Sequence, residues 1–179
     1  TDVKDCEWIA QLLRHGLIKG SFIPPKPIRE LRDLTRYRGK LIQQKSSELN
    51  RLQKFLEDAN IKLSSVVSDI HGQSAREMIQ HLIQNDLDPK EMANLARSRL
   101  RSKLSELEMA LEGVLTDHHR MLFRFSLQMI SSYEEVIEEL DEEIDRRMQP
   151  YREISERLQT IPGVKKSLLK LSLPKLEWT

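Results

Sequence analysis

Apolar residues recur along most of this chain at helical rather than strand spacing. The first run, Asp2 to His15, sets Val3, Cys6, Ile9, Ala10, Leu12 and Leu13 within helical reach of one another, and Gly16 supplies a stop. Three prolines and a glycine within Gly20-Ser21-Phe22-Ile23-Pro24-Pro25-Lys26-Pro27 exclude a helix there and predict a stiff connector. Pro27 is well placed to open a second helix, and no further proline occurs until Pro89. Steps of four and three link Ile28, Leu31, Thr35, Arg38, Ile42, Lys45, Leu49, Leu52, Leu56, Ala59 and Leu63. That is the spacing of a coiled-coil seam, with Arg38 and Lys45 as charged intrusions.

Between about Ile70 and Gly113 the pattern breaks into shorter units. It predicts a helix over Ser74 to Gln84, a second one capped by Asp88-Pro89 and running to Ser98, and a third over Ser102 to Gly113. Thr116-Asp117 then caps a second long helix. Its apolar positions include Leu122, Phe125, Met129, Tyr133, Val136, Leu140, Ile144, Tyr151 and Leu158, with Met121, Met129 and Met148 filling the seam. Pro150 should bend or interrupt this helix. The predicted fold class is all-α: a long antiparallel helical hairpin, paired as a coiled coil, with a small helical head at about residues 70–115.

Composition supports that picture. Charged residues make up 32% of the 179 residues and aromatics only 5%, a balance suited to solvated helices with narrow seams rather than to a compact enzyme. Net charge is +1, so only the placement of charge is informative. From Lys26 to Lys54 nine basic residues face three acidic ones, whereas Glu134 to Asp145 holds eight acidic residues and no basic one. The plain reading is that a basic and an acidic rod lie side by side, with flanking charges choosing orientation and register. The sharper and compatible reading is that Arg29, Arg32 and Arg36, joined by Arg38 and Lys40, contact nucleic-acid phosphates. Charge alone does not distinguish DNA from RNA.

Several function classes drop out. One cysteine, Cys6, excludes an intramolecular disulfide and is expected to be a small buried residue. His118-His119 point in different directions on a helix, with no third ligand at suitable spacing. No apolar run approaches the roughly 20 residues of a membrane span and no leader opens the chain, so a cytoplasmic location without membrane contact is expected. Asp2 and Asp5 are three apart, so both carboxylates project from one helix face and can share a divalent cation; helix capping is the simpler explanation of the pair.

Thr1-Asp2-Val3-Lys4-Asp5-Cys6, Trp8-Ile9-Ala10 and Leu12-Leu13-Arg14-His15-Gly16 together resemble the end of the RuvC-like catalytic domain of Asp-Glu-Asp-Asp insertion-sequence transposases, with Cys6 where alanine is usual. The resemblance continues through Phe22-Ile23-Pro24-Pro25, through Ile28 to Arg38 and through Leu56 to Leu63. It returns at Ile161-Pro162-Gly163-Val164, which looks like the opening of that family's C-terminal domain. The resemblance implies a DNA transposase and recombinase with a magnesium site of four acidic residues, the last two being Asp2 and Asp5. The other two would precede Thr1, and a serine nucleophile would follow Thr179, so this chain alone is expected to be inactive. The implied partners are DNA, a structured guide RNA and further copies of the chain, joined through the coiled coil.

The implied layout is the end of a catalytic domain at 1–19, a connector at 20–27, the helical region at 28–160 and the start of a C-terminal domain at 161–179. Thr1 in place of methionine, directly before a helical stretch, reads as a cut end. Past Val164 the sequence leaves the family pattern, yet a frame shifted by two bases over Leu173 to Thr179 can encode the expected Ala-Glu-Ile-Gly-Met-Asp; a frameshift after about residue 164 is therefore expected. The alternative to a transposase fragment is a free-standing coiled-coil interaction protein, in which the acidic pair is only a cap.

Overall fold

The computed structural model describes residues 2–18, 23–84 and 86–162, which form α-helices, short 3-10 turns and no strand. The all-α expectation holds. The expectations for the connector at Gly20 to Phe22 and for the sequence after Pro162 lie outside the described residues. The chain divides into two units, residues 34–149 and residues 1–33 with 150–179.

In the smaller unit, α1 spans Asp2–Arg14. Gly16 adopts φ 67°, where its missing Cβ avoids the left-handed penalty. Its N–H donates to Leu13 O at 3.0 Å and the Leu17 N–H donates to Leu12 O at 3.0 Å, closing the helix in the way a terminal glycine permits. α1 buries none of its residues. Cys6 is exposed, which corrects the expectation of a buried thiol, since no residue of α1 is fully buried. Helix α2, Lys26–Asp58, starts in this unit, where the Pro25 carbonyl accepts from the Ile28 and Arg29 N–H groups and where Pro24, Ile28 and Leu31 are buried. Helix α8, Arg152–Gln159, also belongs here and is preceded by a 3-10 turn over Gln149–Tyr151, the interruption expected at Pro150.

The larger unit contains the rest of α2, then α3 (Leu63–Val66), α4 (Gln73–Gln84), α5 (Pro89–Ala93), a 3-10 turn at Ser98–Lys103, α6 (Leu104–Leu111) and α7 (Asp117–Met148). Asp88 caps α5 by accepting from the Glu91 N–H at 2.7 Å, while Glu91 reaches back to the Asp88 N–H. Thr116 caps α7 reciprocally with His119. α5 ends at Ala93 rather than near Ser98. Ser98 sits at φ 49°, which breaks a helix, and the chain restarts as a tighter 3-10 turn before α6.

The hydrophobic core lies in the head and in the adjoining ends of the two long helices. Ile61, Leu63, Met78, Ile79, Leu82, Met92, Leu107 and Leu111 pack with Leu52 and Leu56 of α2 and with Phe123 and Ile130 of α7. Each such side chain contributes roughly 1.5–3 kcal/mol of burial, so this cluster, not local helix propensity, holds the short head helices in place. The neck is crossed by two backbone bonds, Lys62 N–H to Ala110 O at 2.8 Å and Val114 N–H to Ala59 O at 2.9 Å. Gly113 sits at that crossing, and a Cβ there would lie 2.5 Å from Ala59 O. Glycine is required by close approach.

Beyond the core, the two long helices are joined by polar side chains. Arg38 Nη2 lies 2.7 Å from Asp141 Oδ2, Lys45 Nζ lies 3.6 Å from Glu134 Oε1, and Ser126 Oγ donates to the buried Glu48 Oε1 at 2.8 Å. His119 Nε2 meets Asp58 Oδ2 at 3.1 Å nearer the head. Partner numbers fall on α7 as they rise on α2, so the two helices run in opposite senses. Every α2 residue of the predicted seam is buried or half-buried, including Arg38 and Lys45.

The predicted α7 seam holds in part: Ile144 is buried and Leu122, Tyr133 and Leu140 are half-buried, but its other positions on α7 require correction. The residues that α7 buries are Phe123, Ser126, Ile130 and Ile144, whereas Phe125 and Met129 are 50% and 44% exposed and Met121 and Val136 are also exposed. Both sets repeat at helical spacing on one helix, roughly 120° apart at 100° per residue. Periodicity identifies each stripe but not which one meets the core.

Candidate nucleic-acid interface

Asp2 and Asp5 occupy the first turn of α1, both exposed. Carboxylates there are favoured by the partial positive charge at a helix start. Magnesium is commonly held by one or two carboxylates together with water and phosphate oxygens, so the pair has suitable chemistry for part of a site. Among the described residues no group of three or more His, Cys, Asp or Glu side chains is arranged to hold a metal ion. The pair is an incomplete donor set.

The structure separates the five basic candidates on α2. Arg38 points toward α7, half-buried against Asp141, and its charge is committed to holding the two helices together. Arg32 is half-buried and makes contacts of its own. Arg29 is exposed on the opening turns of α2. In the larger unit, Arg36 and Lys40 are exposed and carry no ion pair among the described residues. At 100° per residue they lie opposite the buried Leu41, Leu52 and Leu56, on the outward face of α2.

That outward face continues beyond the predicted residues. Gln43, Ser47, Arg51 and Lys54 follow Arg36 and Lys40 at helical spacing and are all exposed. A shallow polar groove beside it is lined by Lys40, Gln43, Gln44, Ser47, Glu48, Arg51 and Tyr133. Arg51 is paired with Glu48, whereas Lys54 has no acidic partner among the described residues. From Arg36 to Lys54 the face spans about 27 Å at 1.5 Å per residue, roughly four-fifths of the ~34 Å turn of a DNA duplex. Arg51 and Lys54 were legible in principle, since they extend the same period.

The acidic helix behaves differently. Glu134 receives Arg76 Nη2 at 2.8 Å, Lys45 Nζ at 3.6 Å and the His71 ring. Burial alone would raise its pKa, but the Arg76 hydrogen bond and the charges of His71, Arg76 and Lys45 outweigh it and hold the carboxyl below its ordinary value. Glu134 therefore clamps α4 and α2 onto α7 as an ionised group. His119, the cap partner of Thr116, lies against Phe123 with ring centroids 6.4 Å apart and is a structural histidine.

A protein-family model described as a transposase, of the DEDD insertion-sequence class, matches residues 1–61. The matched stretch covers about a third of the chain and includes Asp2, Asp5 and α2. No curated protein and no solved structure matches the chain. No helix among the described residues is long and apolar enough to cross a membrane.

Proposed function

We propose that this chain is a piece of a DNA transposase that moves an insertion sequence, supplying assembly and nucleic-acid contacts rather than chemistry. The observation that carries this reading is the transposase-family match over residues 1–61, because the same stretch holds Asp2 and Asp5 and the outward cations Arg29, Arg36 and Lys40. In this reading Asp2 and Asp5 supply two ligands of a magnesium site whose other ligands come from outside the described residues. A bound magnesium ion would supply charge stabilisation for phosphoryl transfer. The residues present here hold two of its oxygens and, on α2, the phosphate backbone. The chain alone is catalytically silent and acts in the cytoplasm. Its partners are DNA, a structured guide RNA that directs recombination and further copies of itself through the coiled coil.

The test is the salt dependence of binding to a DNA duplex, read by fluorescence anisotropy. The full chain should bind with affinity that falls steeply with salt, by about 0.9 in the log-log slope for each phosphate neutralised. Arg36→Glu combined with Lys40→Glu and Lys54→Glu should flatten that slope and weaken binding at least tenfold at low salt. Absence of binding at about 50 mM salt, or an unchanged slope in the triple variant, would sink the nucleic-acid reading. Salt-insensitive self-association without nucleic-acid binding would favour a free-standing interaction protein, a reading that the exposed apolar stripe of α7 also supports.

A further inference from the structure

We infer that the outward stripe of α7 is the surface on which a second copy of this chain docks, with the two α7 helices antiparallel and their two-fold axis near residues 130–131. The inference deepens the assembly part of the proposed function and rests on it; the nucleic-acid part is independent. The stripe comprises Met121, Phe125, Met129 and Val136, all exposed, bordered by the half-buried Leu122, Tyr133 and Leu140. From Met121 to Leu140 it runs about 29 Å along one helix. Four large apolar side chains at steps of four, four and seven, with the half-buried Tyr133 beside the longest step, make a band that a monomer seldom leaves open to water. The narrow, straight seam is the shape that another helix fills.

Charge selects the occupant and its direction. Glu135, Glu138, Glu139 and Glu142 are exposed beside the C-terminal half of the stripe and have no ion-pair partner among the described residues. Beside the N-terminal half lies Arg124, exposed, with its guanidinium 5.5 Å from the Phe125 ring centroid and no acidic partner among the described residues. A parallel pair would bring two acidic segments side by side. An antiparallel pair sets Phe125 opposite Val136, Met121 opposite Leu140 and Met129 opposite Ser132. It also sets Arg124 of each copy between Glu135 and Glu139 of the other, because in antiparallel pairs like flanks meet. The same helix thus carries both halves of a self-complementary patch, as a two-fold interface requires.

The experiment uses the full chain with Cys6→Ser to remove the native thiol. Phe125→Cys and Val136→Cys versions are oxidised separately and as a mixture, alongside a sedimentation measurement of mass without nucleic acid. The expected result is a dimer in which the mixture forms disulfide-linked heterodimers and neither version alone cross-links efficiently. Phe125→Glu should abolish the dimer while leaving helicity unchanged, since that side chain is half exposed already. Arg124→Glu should raise the dimer dissociation constant about three- to tenfold, and Glu135→Arg with Glu139→Arg in the same chain should restore it. Self-cross-linking of each version alone, or a dimer indifferent to Phe125→Glu, overturns the docking face while leaving self-assembly standing. A chain that stays monomeric overturns both.

Discussion

Helices α2 and α7 are nearly equal in length, 33 and 32 residues, and lie against each other, yet they distribute their apolar side chains differently. α2 has one apolar face, turned inward, and an outward face of cations and amides. α7 has two apolar faces, one joined to the head core through Phe123 and Ile130 and one open to solvent through Phe125 and Met129. A helix with one apolar face is fully explained by the unit it belongs to. A helix with two is explained only when something covers the second, and so the candidate partner surfaces differ: polyanions for α2, another helix for α7.

The widest gap is expected between two aromatic positions two residues apart on α7. Phe123→Ala opens a cavity in the core and should cost about 3–5 kcal/mol, whereas Phe125→Ala should change the stability of the monomer by no more than about 0.5 kcal/mol. Urea unfolding at low protein concentration reads both. Similar losses at the two positions would mean that the faces of α7 are not distinct.

The neck that joins the two helices to the head gives an intermediate effect. Gly113→Ala drives a methyl group toward Ala59 O and Ile61, so backbone must shift, at about 1–3 kcal/mol. The loss should appear as earlier unfolding with the two Lys62–Ala110 and Val114–Ala59 backbone bonds exchanging faster by hydrogen exchange. An unchanged melting point would show that the neck yields without cost.

Smallest is the electrostatic clamp. Glu134 has a folded-state pKa below its ordinary value, so its contribution is fully present above that ordinary carboxylate value and is lost as pH falls through the lowered folded value. Melting temperature should therefore drop in acid, and Glu134→Gln should flatten part of that drop. An acid limb identical in the variant would assign it to other carboxylates.

Much of the fold was legible because its signals are local. The Thr116 and Asp88 caps, the stop at Gly16 and the interruption at Pro150 depend on residues within a turn of one another, and the structure places each where its chemistry requires. Among the site residues, Asp2 and Asp5 fall on the first turn of α1, and Arg36 and Lys40 face outward. Arg38 did not join them, because an arginine two positions from Arg36 lies on the other side of a helix and there meets Asp141.

The sequence by itself determined where the main helices lie, the caps at Asp88 and Thr116, the stop at Gly16, and that one long helix is basic and the other acidic, since each follows from spacing, caps and local charge. Only the tertiary structure decided which stripe of α7 meets the core, which arginines are used up in pairing and why Gly113 must lack a side chain. Those outcomes depend on contacts between residues distant in the chain, and a periodic pattern on one helix carries no information about what lies opposite it.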